Sequence, residues 1–304
     1  MTLDLVRSSV FVRQHAGRTF VLKIGGACLA RPRRLRAFAR QVAAVQALGS
    51  RILLVHGAGP QVSERQRALG ETPHIVGGRR VTTPLALEAL TDCARELGAV
   101  LATALRAEGA SALCVDAVAS GAVRADRRLP VVTDEGPVDF GLVGDVVGVD
   151  AAFLAAALAE EGLVVLSPPV AGSGKGEPYA LNVNADTIAA EAAIALGAAK
   201  LVLITDAPGI LSDPADGHSA IGAMTLDELR GLSTSGALRG GMAVKATAVE
   251  RALTGGVERV HVVDGRREDA LLVELYTAHG SGTLVTLAGA ADPIEEPNVQ
   301  GVGA

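Results

Sequence analysis

Two short apolar runs, residues 20–24 and 52–55, each lead into a glycine turn and stand one helix length apart. Apart from Lys23, neither admits a polar residue. A run that is apolar throughout and rich in branched side chains suits a strand covered on both faces. Between the two, Leu35, Phe38, Val42 and Val45 recur at helical spacing, Pro32 suits a first helical turn and Gly49 closes the segment. Strand, helix and strand in that order make a crossover unit with its strands parallel in one sheet. The turn after the second strand, His56-Gly-Ala-Gly-Pro60, then falls at the carboxyl edge, where open parallel sheets take their ligands.

The same grammar continues down the chain. A helix is expected over 84–107 and a strand over 112–115, and the short runs 122–124, 130–133 and 141–146 read as hairpins forming a lid or rim. Helix 151–160 and strand 163–166 restart the pattern. An Ala-rich helix ending at Gly197, strands at 200–205 and 257–263, and a glycine turn entering an edge strand near 285 complete it. With 49% apolar but only 2% aromatic residues, the interior must be Ala, Val, Leu and Ile, as parallel strands under Ala-rich helices require. Residues 1–16 place Leu3, Val6 and Val10 at helical spacing, giving a helix that either covers its own domain or docks on another subunit. From residue 288 the chain is Gly, Ala, Pro and acidic, and a frayed tail is expected.

Lys23 is the misfit in its strand. A buried ammonium needs an anion, so it is either a paired structural charge or a ligand for something negative. Gly25-Gly26 behind it lets backbone N–H groups approach a phosphate or carboxylate, or simply makes a bend. Four further stations have the same character. Gly77-Gly-Arg-Arg-Val-Thr82 joins flexible backbone to two guanidiniums, of which one is expected to fork onto an anion and the other to lie at the surface. In Asn182-Val-Asn-Ala-Asp186, Asn184 or Asp186 caps a helix, or the amides and carboxylate hold lysines and a substrate amide. Asp206-Ala-Pro-Gly-Ile-Leu211 is another strand-end turn, and Gly240-Gly-Met-Ala-Val-Lys245 starts a helix where N–H groups and the positive end suit phosphates.

Several classes fall away. A net charge of −5 and scattered arginines do not call for nucleic acid; the Arg31-Pro-Arg-Arg-Leu-Arg36 group is a small basic patch or the solvated start of a helix. Three distant cysteines make neither a disulfide framework nor a zinc set, so a reducing, cytoplasmic location is expected. The apolar stretches are too short or too interrupted to span a bilayer, and no signal-peptide pattern opens the chain. Gly172-Ser-Gly-Lys-Gly176 only mimics a P-loop, because Pro169 stands where a glycine is needed and Gly176 where Ser or Thr is needed.

Taken in order and spacing, the stations at 23–26, 56–60, 78–82, 182–186, 205–211 and 240–245 resemble the amino acid kinase family over about residues 10–285. The resemblance implies a three-layer αβα sandwich on a mainly parallel sheet, the carbamate kinase-like fold. It implies a helix at 1–17 for oligomerisation or regulation, a lobe at 18–175 for the acyl amino acid, a lobe at 176–290 for ATP and a flexible tail at 291–304. The implied reaction is phosphorylation of the γ-carboxylate of N-acetyl-L-glutamate by ATP. Alternatives are another N-acyl amino acid, such as N-acetylaminoadipate, or a non-catalytic paralogue that binds arginine or nucleotide.

By that resemblance Lys23 and Lys245 flank the transferring phosphoryl group and Asp186 orients them. Ala58, Gly59, Arg80 and Asn182 hold the acyl amino acid, while Gly25, Gly26, Asp206, Gly209, Leu211, Gly240, Gly241 and Lys245 serve ATP. Mg²⁺ is expected on the ATP phosphates, without side-chain ligands. The amino-terminal helix and residues 274–283 resemble the arginine-inhibited branch, which makes Glu274 and Gly280 candidates for an L-arginine site and implies a homo-oligomer, dimer or hexamer. Two departures bear on substrate identity: Ala58 replaces the middle glycine of the usual turn, where its methyl is expected to disfavour the required backbone angles, and residues 112–120 lack the usual Gly-Leu-Ser-Gly-type stretch.

Overall fold

The computed structural model describes residues 5–133, 136–174, 176 and 178–287; the tail expected over 291–304 and Lys175 lie outside them. The centre is an eight-stranded sheet. From one edge to the other its strands are Ala223–Thr225, Thr283–Thr286, Arg259–Asp264, Lys200–Thr205, Thr19–Ile24, Arg51–His56, Leu163–Ser167 and Leu113–Asp116. The last six run parallel, and Thr283–Thr286 lies antiparallel to Arg259–Asp264. Thr19–Ile24 is the seam, pairing on one side with Arg51–His56 and on the other with Lys200–Thr205. The chain thus winds away from the seam in both directions, and the crevice at the carboxyl ends of these strands is where ligands bind in such sheets.

Strand periodicity decides which side chains meet which helices. Phe20, Leu22, Ile24, Ile52 and Leu54 join one core with helices Leu5–His15, Pro32–Ala47, Pro84–Ala107 and Ala270–Tyr276. Val21, Leu53, Val55, Leu201 and Leu203 join the other, under Ala151–Glu161, Ala185–Ala195, Leu226–Thr234 and Gly240–Thr254. These are the three layers. Among the described residues no helix is long and apolar enough to cross a membrane.

Some elements differ from the sequence reading. The rim is more than hairpins: Val123–Arg127 and Gly144–Val149 pair antiparallel and join Val170–Gly172 and Ala180–Leu181 in a four-stranded sheet, while Val131–Thr133 and Gly136–Val138 form a separate hairpin. Helix Gly59–Ala68 was not foreseen, because its sequence has no apolar stripe and buries only Val62 and Gln66. The amino-terminal helix covers its own domain: Phe11 is buried, and Ser8 Oγ donates to the Tyr276 carbonyl at 2.9 Å.

Candidate active site

Lys23 shares the strand face of Val21 and stands level with Leu203, so its ammonium enters the layer of helices Ala185–Ala195 and Gly240–Thr254. Both helices send a charge to meet it. Lys23 Nζ lies 2.9 Å from Asp186 Oδ1, and Lys245 Nζ donates to Asp186 Oδ2 at 3.2 Å. All three side chains are nearly out of water, at 8%, 4% and 13% exposure for Lys23, Asp186 and Lys245. Burial pushes the Lys23 ammonium below its usual range and Lys245 adds to this, while Asp186 opposes both. Burial alone would raise Asp186, yet Lys23 and then Lys245 hold its carboxyl below the usual range. The group is therefore two cations on one carboxylate, with one positive charge in excess.

The division of labour at 182–186 is explicit. Asn184 is the cap, its Oδ1 accepting from Asp186 N at 2.8 Å, which leaves the Asp186 side chain for the lysines. Asn182 Nδ2 donates to Thr82 Oγ1 at 2.9 Å beneath the rim.

These groups open into a cleft of about 540 Å³. Its walls include Lys23, Gly25, Gly26, Ala58, Gly59, Arg80, Asn182, Asp186, Gly241 and Lys245, so most of the sequence candidates converge. Among the described residues the charged groups on this wall are four cations, Lys23, Arg79, Arg80 and Lys245, against the single acid Asp186. Helices Gly59–Ala68, Ala185–Ala195 and Gly240–Thr254 all begin here, adding positive ends, and the first and third have no side-chain cap. A cleft of this kind stabilises anions.

Gly26 is there because nothing larger fits: a Cβ would stand 2.9 Å from the Gly57 carbonyl oxygen and 2.5 Å from Gln61 Oε1. Arg80 is braced, with Nη2 donating to Ser63 Oγ at 2.6 Å and to the Gly59 carbonyl at 3.1 Å, and Nη1 to Gln66 Oε1. Arg79 is not the surface arginine the sequence reading expected; it is half-buried and also lines the cleft. Ala58 likewise corrects the expectation of strain. Its φ of −130° is open to any L-residue, and its methyl packs with Val62, Leu90 and Cys93.

A neighbouring cavity of about 520 Å³ carries Leu211 with Ala237, Leu238 and Met242. Asp206 and Gly209 line neither cavity. Gly209 faces Thr283, whose Oγ1 would lie 2.6 Å from a Cβ there. Gly240 starts its helix with φ +54°, and Gly78 of the Ile75–Arg80 hairpin rests on its carbonyl across the cleft. Behind the cleft His56 Nε2 and Ser167 Oγ are 2.8 Å apart, and burial pulls the His56 pKa down to about 4.

Glu274 and Gly280 are elsewhere, on the opposite face of the sheet. Glu274 is buried, its Oε1 2.6 Å from His261 Nδ1 and its Oε2 accepting from Ser281 N at 2.5 Å and Gly282 N at 2.8 Å. Burial opposes ionisation, but the His261 contact and the two amides bring its pKa down to about 2. Lys200 Nζ stands 3.4 Å from His261 Nε2. Sequence reasoning passed over Lys200 and His261; a lysine opening the apolar run 200–205 was the available signal.

Among the described residues no group of three or more His, Cys, Asp or Glu side chains could hold a metal ion, and both Asp186 oxygens face lysines.

Comparison with known proteins gives the family and the fold. The amino acid kinase family profile matches residues 18–264. The acetylglutamate kinase of Symbiobacterium thermophilum is 37% identical over 283 residues, covering 92% of this chain and 96% of that protein. Among solved structures, N-acetylglutamate synthase from Neisseria gonorrhoeae with coenzyme A and N-acetylglutamate superposes at a TM-score of 0.80 and 26% identity, covering 93% of this chain. The same synthase with coenzyme A and L-arginine superposes at 0.76. This chain spans 62% and 64% of those two synthase chains, under two thirds of their length.

Proposed function

The chain belongs to the amino acid kinase family, and from that premise we propose that it is an acetylglutamate kinase, transferring the γ-phosphoryl group of ATP to the γ-carboxylate of N-acetyl-L-glutamate. The observation that carries the reading is the pair of ammonium groups, one from the seam strand and one from helix Gly240–Thr254, on the single carboxylate of Asp186. A carboxylate nucleophile is already ionised near pH 7 and needs no general base. What the transfer needs is in-line placement and neutralisation of charge on the moving phosphoryl group. Lys23 and Lys245 supply the charge, and Asp186 fixes their spacing without cancelling it.

Gly25, Gly26, Gly240 and Gly241 bring backbone N–H groups to the phosphates. Arg80, held by three partners on its own lobe, offers its fork to the α-carboxylate, and Ala58, Gly59 and Asn182 frame the acetylamino group. The adenosine end belongs in the cavity of Leu211, Ala237 and Met242, reached along the 206–211 turn. Magnesium enters as part of the nucleotide substrate, because the one acidic side chain among the described residues of the cleft wall is engaged by lysines.

Regulation by L-arginine belongs to the same reading. Glu274 with Lys200 and His261 forms a buried charged cluster beside the amino-terminal helix, whose His15 ring packs edge-on to Phe20 and Tyr276. A homo-oligomer is part of the same reading: the inner face of that helix covers its own domain, and its outer face, where Val6 is exposed, would form the interface. Acyl phosphate trapped by hydroxylamine tests the main claim with N-acetylglutamate, N-acetylaminoadipate and N-acetylaspartate as acceptors. Product from acetylglutamate alone is expected. Preference for another acceptor would reassign the substrate, and no product from any would remove the activity. Millimolar arginine without effect on the rate, and a monomer by light scattering, would each remove its part of the regulatory reading.

A further inference from the structure

We propose that a second anion site, for a small phosphate-bearing molecule, lies between the start of the Pro32–Ala47 helix and the turn that follows Arg259–Asp264. The cavity there is about 250 Å³, less than half the catalytic cleft, and is on the opposite face of the sheet from Lys23. Five arginines line it: Arg31, Arg33 and Arg34 from one wall, Arg266 and Arg267 from the other. Two acids, Asp264 and Glu268, line it with them, and Asp269 stands just outside with its Oδ1 3.6 Å from an Arg267 nitrogen.

The acids are already spoken for. Asp264, almost buried, accepts from Arg266 Nε and Nη2, both at 2.8 Å, and so holds that guanidinium in one orientation. Glu268 pairs with Arg33 at 2.7 Å at the exposed mouth. Among the described residues neither Arg31 nor Arg34 has a carboxylate partner, and Arg34 is half-buried. With Asp269 counted on Arg267, the cavity therefore carries an excess of two positive charges.

The local helix makes the excess costlier. Arg31 is the N-cap and makes no side-chain capping bond, and the first turn holds no acidic residue. Cations at the positive end of a helix oppose its dipole, and local rules are broken where function requires it. The floor beneath is built, with Phe38, Ile204, Val263 and Leu271 apolar and Gln41 Oε1 accepting from Leu271 N at 2.9 Å to join the walls. Forked donors around two excess charges suit a phosphate dianion or pyrophosphate better than one carboxylate. The site also touches the nucleotide half, since Gly265 N in its wall donates to the Thr205 carbonyl at 2.7 Å, at the strand end leading into the 206–211 turn.

The test is calorimetric titration of the full chain with its catalytic cleft first saturated by N-acetylglutamate and a non-hydrolysable ATP analogue. The probes are pyrophosphate, glycerol phosphate and citrate. Saturable binding of pyrophosphate or of the ester is expected, with Kd of about 1 mM or tighter and weakening as salt screens the arginines. Pyrophosphate alone would identify a free phosphate as the occupant, and the ester a phosphorylated metabolite. The double variant Arg31→Ala/Arg34→Ala, outside the transfer site, is expected to lose at least about tenfold in that affinity with unchanged kcat. No binding by either phosphate probe, equal binding in the variant, or citrate binding as tightly as pyrophosphate would overturn the assignment.

Discussion

Replacing Asp186 by Asn keeps the shape of the side chain and removes the one acid among the described residues of the cleft wall. Unit charges 2.9 Å and 3.2 Å apart attract by roughly 5 to 6 kcal/mol each at an effective dielectric constant near 20. Desolvation of three ions and repulsion between the lysines offset much of that. Removing one partner from a buried ionic group costs about 3–5 kcal/mol, because uncompensated charge is left behind. In a chain this long each kcal/mol moves the melting temperature by about 2–4 °C, so Asp186→Asn should melt on the order of 10 °C below the parent. With the lysines no longer held, kcat should fall on the order of 10²-fold or more, the scale of losing one transition-state donor. Nucleotide phosphates would restore the missing negative charge. A non-hydrolysable ATP analogue should therefore raise the melting temperature more in the variant than in the parent. Thermal melts with and without the analogue, beside steady-state kinetics, read all three effects. A variant melting within about 2 °C of the parent and turning over within about threefold of it would refute the argument.

Lys23→Ala and Lys245→Ala should each lower kcat on the order of 10²-fold, and near-normal turnover in either would take that lysine out of the transfer step. Arg80→Lys loses the fork and should raise KM for the acyl amino acid roughly 10- to 100-fold, as for a charge-assisted bond worth about 1.5–3 kcal/mol, with little change for ATP; equal effects on both substrates would count against the assignment. Gly77 and Gly78 both have positive φ, but only at Gly78 would a Cβ meet the Gly240 backbone, at 3.1 Å. Alanine at either should cost about 1 kcal/mol of stability, and only Gly78→Ala should also lower kcat/KM; matched kinetics would refute the contact. His15 and His56 are brought down to about 3 and about 4, chiefly by burial, so both stay neutral in the fold while the unfolded chain takes up protons below about 6.5. Their stabilisation is complete above that pH and lost as pH falls toward those values, and Glu274 adds a loss between its ordinary 4.5 and about 2. Urea unfolding should show roughly 3–4 kcal/mol less stability at pH 5 than at pH 7, with a smaller loss in His56→Gln; a flat profile would exclude these histidines.

The central strands were legible because buried parallel strands are written as unbroken apolar runs, and the cleft position of Lys23, Gly25, Gly26, Ala58 and Gly59 was legible because they stand at or just beyond the ends of two such runs. Helix Gly59–Ala68 was not, since it buries Val62 and Gln66 and otherwise shows water and the cleft its polar side chains. The partnership of Lys200 with His261 was hidden for another reason. It depends on which strands are neighbours and in what register, here Lys200 level with Arg259 and Val202 with His261, and pairing between strands sixty residues apart leaves no local trace. Arg79 was misplaced because adjacent strand residues normally face opposite ways, whereas a two-residue strand at a glycine hairpin allows both arginines to reach the cleft.

Register also explains why two anion-attracting regions coexist at one end of a single sheet. Lys23 and its neighbour Leu203 turn toward one helical layer, and Ile24, Ile204 and Val263, one residue further on, turn toward the other. The cleft therefore opens on the first face, at the end of Thr19–Ile24, and the arginine-lined cavity on the second, at the ends of Lys200–Thr205 and Arg259–Asp264. A slip of one residue in the Thr19–Ile24 strand would drive the Lys23 ammonium among Leu22's partners, Phe38, Leu54 and Leu101, where no carboxylate waits. The ion triad and the hydrophobic pattern thus demand the same register, and that agreement makes the position of the charge as firmly specified as the core itself.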